Sequence, residues 1–181
     1  MLKVSRSDLP MICTLGHSGG TTVSATSYLA NLLGIRVFVT GGIGGVHRGA
    51  EVSMDISADL SELSHTPITV VSAGIKSILD IGKTLEVLET NGVCVATYQA
   101  IEDDTTKQPT FPAFFTPNSG ISVNYNLKTA RSVAMLIQQR DALQLESGIL
   151  LAVPNYIEEE EGKIYHNKVE QAYIQAEQEM W

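Results

Sequence analysis

The chain has 181 residues, a formal net charge of −8, and 44% hydrophobic against 18% charged residues. Such a length and composition suit one folded domain with a sizeable core and exclude a disordered chain. The acidity argues against a polymeric nucleic acid partner, which needs a basic face, but allows a small anion to be held in a local pocket of cations and N–H groups.

In chain order, Gly16 to Thr22 reads as a small polar turn, followed by a helix over Val23–Leu33 that Gly34 stops. Ile35–Thr40 is strand-like and is broken by Gly41-Gly42-Ile43-Gly44-Gly45. A short helix is expected over Asp59–Leu63, and a buried strand over Pro67–Ser72. The spacing of Ile78, Ile81, Leu85 and Leu88 predicts a helix over Ser77–Thr90, ended by Asn91-Gly92, with Val93–Tyr98 as the next strand. Glu102–Pro109 reads as an exposed polar loop. Leu127–Leu145 reads as a helix with Leu127, Ala130, Val133, Ala134 and Ile137 facing inward. Ile149–Val153 is a further strand, and Val169, Ala172, Tyr173, Ala176 and Met180 mark a final amphipathic helix. Alternating strands and helices predict an α/β fold in a single domain over residues 1–181, with a mainly parallel sheet and helices on both faces.

Cys13 and Cys94 have no metal or CxxC spacing and read as buried reduced thiols. Met1–Arg6 lacks the apolar core of a secretory leader, and no run is long enough to cross a bilayer, so the cytoplasm is the expected compartment, with an organelle as the alternative. Functional-looking sequence as early as Lys3, and a last helix running to Trp181, predict that neighbouring sequence is missing at both ends.

Lys76 is the leading candidate for chemistry. The apolar strand before it ends at Ser72-Ala73-Gly74 and the predicted helix starts at Ser77, which puts Lys76 at a strand-to-helix corner where open α/β sheets carry their sites. A lysine partly shielded from water there would have a lowered pKa and a neutral amine able to form a Schiff base with a carbonyl carbon. Asp55-Ile56-Ser57-Ala58-Asp59 carries two carboxylates four apart, which suits a hard divalent ion; capping of the following helix by Ser57 or Asp59 explains the same residues and is favoured by spacing alone. Ser18–Thr22 before a helix suits a phosphate or an ordinary N-cap. The glycine clusters match neither a dinucleotide fingerprint, because His47 stands where a third glycine is needed, nor a phosphate-binding loop, because Lys76 does not directly follow Gly74. His17, His65 and His166 have no partner spacing.

Taken together, Lys3–Leu9, Gly20–Thr26, Thr40–Glu51, Met54–Leu60 and Ala73–Asp80, with Phe111–Thr116 and Ser119-Gly120, resemble the pseudouridine-5′-phosphate glycosidase family, which includes the indigoidine synthase A-like proteins. The resemblance covers nearly the whole chain. It implies reversible conversion of pseudouridine 5′-phosphate and water to uracil and ribose 5-phosphate, one divalent ion per subunit, usually manganese, and a homotrimer. It implies that Lys76 is the nucleophile, that Asp55 holds the metal, that Ser57, Ala58 and Asp59 line the substrate site, and that Lys3, Thr22 and Val23 contact the substrate near its phosphate, with His47 beside them. It further implies an acidic glutamate upstream and an Asn-bearing region downstream. No equivalent of that acid is found here by motif, since Glu51 belongs to a different block, and the Glu102–Pro109 loop is longer than the family's usual connection. The alternatives are a catalytically impaired fragment serving as a nucleotide-binding or oligomer-partner module, and a different lysine-dependent aldolase or lyase acting on a sugar phosphate.

Overall fold

The computed structural model describes residues 1–99, 108–155 and 157–179, so most of the loop expected over Glu102–Pro109, and Met180, lie outside the described residues. Its centre is a five-stranded parallel sheet in the order β3-β5-β9-β7-β8. Before it come β1 (Leu2–Val4), a short 3₁₀ turn at Arg6–Asp8, α1 (Leu9–Leu15), β2 (Gly19–Thr21) and α2 (Val23–Leu32). The sheet opens with β3 (Val37–Val39), and then come β4 (Val46–His47), α3 (Ala50–Ser53), α4 (Ala58–Leu63) and β5 (Thr69–Ser72). The rest of the chain is β6 (Leu79–Asp80), α5 (Ile81–Thr90), β7 (Cys94–Tyr98), β8 (Asn126–Leu127), α6 (Ala130–Ala142), β9 (Ile149–Ala152) and α7 (Glu159–Glu179). The α/β class and mainly parallel sheet are therefore as the alternation of elements predicts.

One sheet face builds the core. Val70 of β5 and Leu150 and Ala152 of β9 cluster with Leu60 and Leu63 of α4, Leu88 of α5, and Ile43 and Ile75 from the loops, and Phe38 of β3 packs against them. Each such fully buried aliphatic side chain contributes about 1.5–3 kcal/mol, which makes this cluster the main source of cohesion.

Several boundaries differ from expectation. The helix predicted from Ser77 begins at Ile81, because Leu79-Asp80 pairs antiparallel with Val46-His47 and the Asp80 carboxylate accepts the Lys83 N–H at 2.9 Å as an N-cap. Ile78 consequently leaves the predicted inward stripe and is exposed. The helix expected over Leu127–Leu145 starts at Ala130, after β8, because Thr129 and Ser132 form a capping box and Asn126-Leu127 pairs with Thr97-Tyr98. Ala130 and Ala134 of its predicted inward face are exposed. Cys13 is exposed rather than buried, on a helix that buries none of its residues, and Cys94 is half-buried, with burial pushing its thiol pKa up. No helix among the described residues is long and apolar enough to cross a membrane.

Candidate active site

A cavity of about 670 Å³ lies beyond the carboxyl ends of β3 and β5. Its lining includes every residue singled out from sequence: Lys3, Thr22, Val23, His47, Asp55, Ser57, Ala58, Asp59 and Lys76. Five segments carry them, and specific bonds bring them in.

Lys3 arrives on β1, which pairs in parallel with β2 so that Lys3 lies opposite Gly20. This pair is anchored through Arg6, which donates to the nearly buried Glu62 of α4 at 3.2 Å and stacks 4.5 Å over the Tyr28 ring of α2. His47 sits on β4, which has β6 on one side and a bridge from Val46 to Ile56 on the other. That arrangement places Asp55 beside it: the His47 N–H donates to the Asp55 carbonyl at 3.0 Å, and His47 Nδ1 lies 3.7 Å from the Asp55 carboxylate.

Lys76 follows Gly74-Ile75, where Ile75 bridges in parallel to Ile43, and the Lys76 N–H donates to the Ile43 carbonyl at 3.1 Å. Gly74 has φ +107°, and a Cβ there would meet the Pro112 carbonyl at 2.7 Å, so the chain can make this approach only with glycine. Lys76 is followed by a turn, in which the Leu79 N–H returns to its carbonyl at 3.0 Å, and not by a helix. The shielding expected of a strand-to-helix corner is absent, and the Lys76 side chain is exposed at the cavity wall. The next residue is held from the far end of the chain. Arg48 donates to the Ser77 carbonyl at 3.3 Å while bonding bidentately to Glu170 of α7 and lying over Tyr173. The Glu170 bond holds the Arg48 pKa above its ordinary value and the Glu170 pKa below its own.

The Asp55–Asp59 block divides its work. The Ser57 hydroxyl accepts the Asp59 N–H at 3.2 Å and caps α4, as spacing favoured. Asp59 does not cap that helix. It is buried, and its two oxygens accept the Ser24 N–H at 2.8 Å and the Gly44 N–H at 2.7 Å. An internal carboxylate therefore occupies the first turn of α2, where an anionic ligand was one expectation, while Thr22 caps the same helix through Ala25. What remains for a ligand there is the Val23 N–H, which the helix itself does not use, and the threonine hydroxyls. Asp55 differs from Asp59 in being exposed to the cavity. Among the described residues no three His, Cys, Asp or Glu side chains gather as a metal cage. An exposed carboxylate beside His47 suits a hard ion that keeps most of its water, as magnesium does, so Asp55 fits a divalent ion as one ligand of several.

Sequence reasoning missed Ser5, Asp8, Gly44, Ile56, Ile78 and Leu79, which also line the cavity. Asp8 is engaged by Ser5, whose side chain and backbone hold its pKa below the ordinary value. Ile56 and Gly44 lie inside blocks already marked, whereas Arg48's clasp on Glu170 spans 122 residues and leaves no local signal. Glu51, weighed as a possible acid, is not in the lining and pairs with Lys83 at 2.7 Å.

The fold and cavity define an α/β protein whose candidate site joins two lysines, an exposed carboxylate and capping hydroxyls beyond the strand ends. Residues 1–181 match the family described as Indigoidine synthase A like protein, and the chain belongs to that family. It is 51% identical over 154 residues to the pseudouridine-5′-phosphate glycosidase of Alkaliphilus metalliredigens, covering 85% of this chain and 48% of the relative. It is 47% identical over 178 residues to that of Geobacillus kaustophilus, covering 98% and 56%. Among solved structures it is similar to an indigoidine synthase A-like protein of Thermotoga maritima, with TM-score 0.78 and 34% identity over 95% of this chain and 54% of the other. It is also similar to a prealnumycin C-glycosynthase in complex with ribulose 5-phosphate, with TM-score 0.83 and 33% identity over 99% and 57%. The chain spans about half the length of the curated relatives it matches.

Proposed function

We propose that this chain carries the lysine-bearing site of a pseudouridine-5′-phosphate glycosidase, which cleaves the C–C bond between ribose C1′ and uracil C5. The observation that carries this reading is the convergence of Lys3, Thr22, Val23, His47, Asp55, Ser57, Ala58 and Asp59 with Lys76 on one cavity. Support also comes from relatives bearing that name at 47–51% identity and from a similar fold solved with a sugar phosphate.

In this reading Lys76 Nζ gives up a proton and adds to C1′ as the C1′–O4′ bond breaks and O4′ takes a proton. Protonation of uracil C5 then lets the C1′–C5 bond cleave, its electron pair returning to the uracil ring. The nitrogen lone pair closes a C=N bond at C1′. Water hydrolyses this imine, releasing ribose 5-phosphate and restoring the amine. Covalent catalysis suits a carbon leaving group because it divides one hard cleavage into easier steps. Lys3, the Val23 N–H and the Thr22 hydroxyl receive the phosphate, which explains how an acidic chain holds an anionic nucleotide. Asp55, oriented by His47, is the protein ligand for a divalent ion, taken as manganese, and a bound ion would supply charge stabilisation. Ser57, Ala58 and Asp59 shape the wall opposite the sugar, and the working assembly is a homotrimer.

Borohydride reduction of this chain in the presence of ribose 5-phosphate tests the reading. A covalent adduct mapped to Lys76 and lost in Lys76→Arg is expected. A folded sample with no adduct, or an adduct on Lys3 or Lys83, overturns it.

A further inference from the structure

The turn that carries Lys76 is a wall between two cavities. Lys76 and Ile78 line the 670 Å³ cavity, Ser77 and Asp80 line a second one of about 420 Å³, and Leu79 borders both. Two consecutive residues at the end of β4 divide in the same way. His47 lines the first cavity beside Asp55, and Arg48 lines the second, behind the lysine.

Lys76 is exposed, so packing does not fix where its stem leaves the wall, and the backbone beneath it has to. The Lys76 N–H and C=O are tied to Ile43 and Leu79, and Leu79-Asp80 is paired with β4. Between these ties lies the Ser77 carbonyl, which accepts from Arg48 Nη2 at 3.3 Å. The guanidinium is itself held on two further sides. Both its terminal nitrogens donate to the Glu170 carboxylate, and its Cζ lies 4.6 Å from the centre of the Tyr173 ring. Glu170 and Tyr173 stand three apart on α7 and so share one face of that helix. An arginine fork suits the task, because each terminal nitrogen gives one N–H to the carboxylate and Nη2 keeps a second for the carbonyl. The Arg48 and Glu170 side chains are 29% and 30% exposed, against 47% and 62% for Lys83 and Glu51, so solvent and salt screen the first pair less.

We propose that Arg48 is a positioning residue for Lys76, an inference that rests on the lysine being the nucleophile. Gripped by α7, Arg48 fixes the Ser77 peptide from behind and thereby the point from which the amine meets the anomeric carbon. A displacement of about 1 Å at such a point can cost a hundredfold in rate, so a bond outside the substrate cavity bears on the chemistry inside it. The plain alternative is that the clasp only docks α7.

Two measurements on this chain separate these roles. In Arg48→Met the Lys76 and Leu79 amides should exchange about tenfold or more faster, while those of β5 and β9 keep their rates. Borohydride trapping over a range of ribose 5-phosphate concentrations should show the maximal rate of adduct formation at Lys76 falling about tenfold or more, with the half-saturating concentration held within about twofold. Arg48→Lys, which lacks the fork, should recover only part of the rate. Glu170→Gln leaves the arginine in place and should show a smaller loss of the same kind, which carries the test if Arg48→Met does not fold. Unchanged amides at Lys76 and Leu79 overturn the proposal, as does a loosened turn that traps the sugar phosphate at full rate. A raised half-saturating concentration with an unchanged maximal rate also overturns it and makes Arg48 a binding contact. A wild-type chain that forms no adduct fails earlier: it removes the nucleophile, and this inference with it, whatever the amides do.

Discussion

Gly44 donates its N–H to the Asp59 carboxylate at 2.7 Å, and a Cβ on Gly44 would collide with Ser57 Oγ and with Asp59 Oδ2. The loop after β3, the first turn of α2 and the start of α4 therefore meet at one buried carboxylate. Asp59 looks like a ligand-binding residue in sequence, but its bonds are spent on the backbone.

Asp59→Ala leaves two buried N–H groups without acceptors and is expected to destabilise the fold by roughly 2–4 kcal/mol. Urea unfolding followed by circular dichroism measures this. Asp59→Asn should fall between wild type and alanine, because its amide oxygen keeps one acceptor while its NH2 group, a donor, cannot replace the other. A destabilisation under half a unit on that scale would mean that the clamp is unimportant.

Asp80 caps α5 and fixes where the helix begins. Asp80→Ala should cost about 1 kcal/mol, and Asp80→Asn or Asp80→Ser should recover most of it. Thermal melts of the three variants decide the point, and a silent alanine variant would contradict the capping geometry.

The Arg48–Glu170 bond makes the hold on α7 pH-dependent. Because the folded pKa of Glu170 is lowered by Arg48, the contribution is present above the ordinary carboxylate value and is lost as pH falls through the lowered one. Protection of α7 amides, taken relative to their intrinsic exchange rate at each pH, should fall on acidification between about pH 5 and pH 3. In Glu170→Gln it should already be low at the upper end and change little. Equal profiles in both proteins would remove the bond from the account.

Asp55 can be tested without turnover. Manganese binding followed by electron paramagnetic resonance should weaken about tenfold or more in Asp55→Asn, where one full charge is removed from the site. Unchanged affinity would assign the ion to other groups.

Much of the candidate site was legible through the resemblance, whose blocks gather on one cavity. The Asp55–Asp59 block, the glycine run and Lys76 each keep their residues within a few positions, so type and order carried the information. The fold class was legible for the same reason, through alternating strand and helix patterns. The start of α5 was not, because the apolar stripe continues through Ile78 and only the pairing of Leu79-Asp80 with β4, a contact across more than thirty residues, pulls that segment out of the helix. The role of Asp59 was hidden likewise, since its partners Ser24 and Gly44 lie 35 and 15 residues away. The expected inward face of α6 misled because an amphipathic pattern reports what a helix can bury, not what packs against it.

The clasp of Arg48 on Glu170 also carries a kinetic implication. The segment beside Lys76 is steadied by a residue synthesised 122 positions after Arg48. A nascent chain on the ribosome can thus pair β3 with β5 well before that brace exists. Refolding experiments should register two events, with sheet formation first and immobilisation of the lysine loop trailing as the tail wraps back.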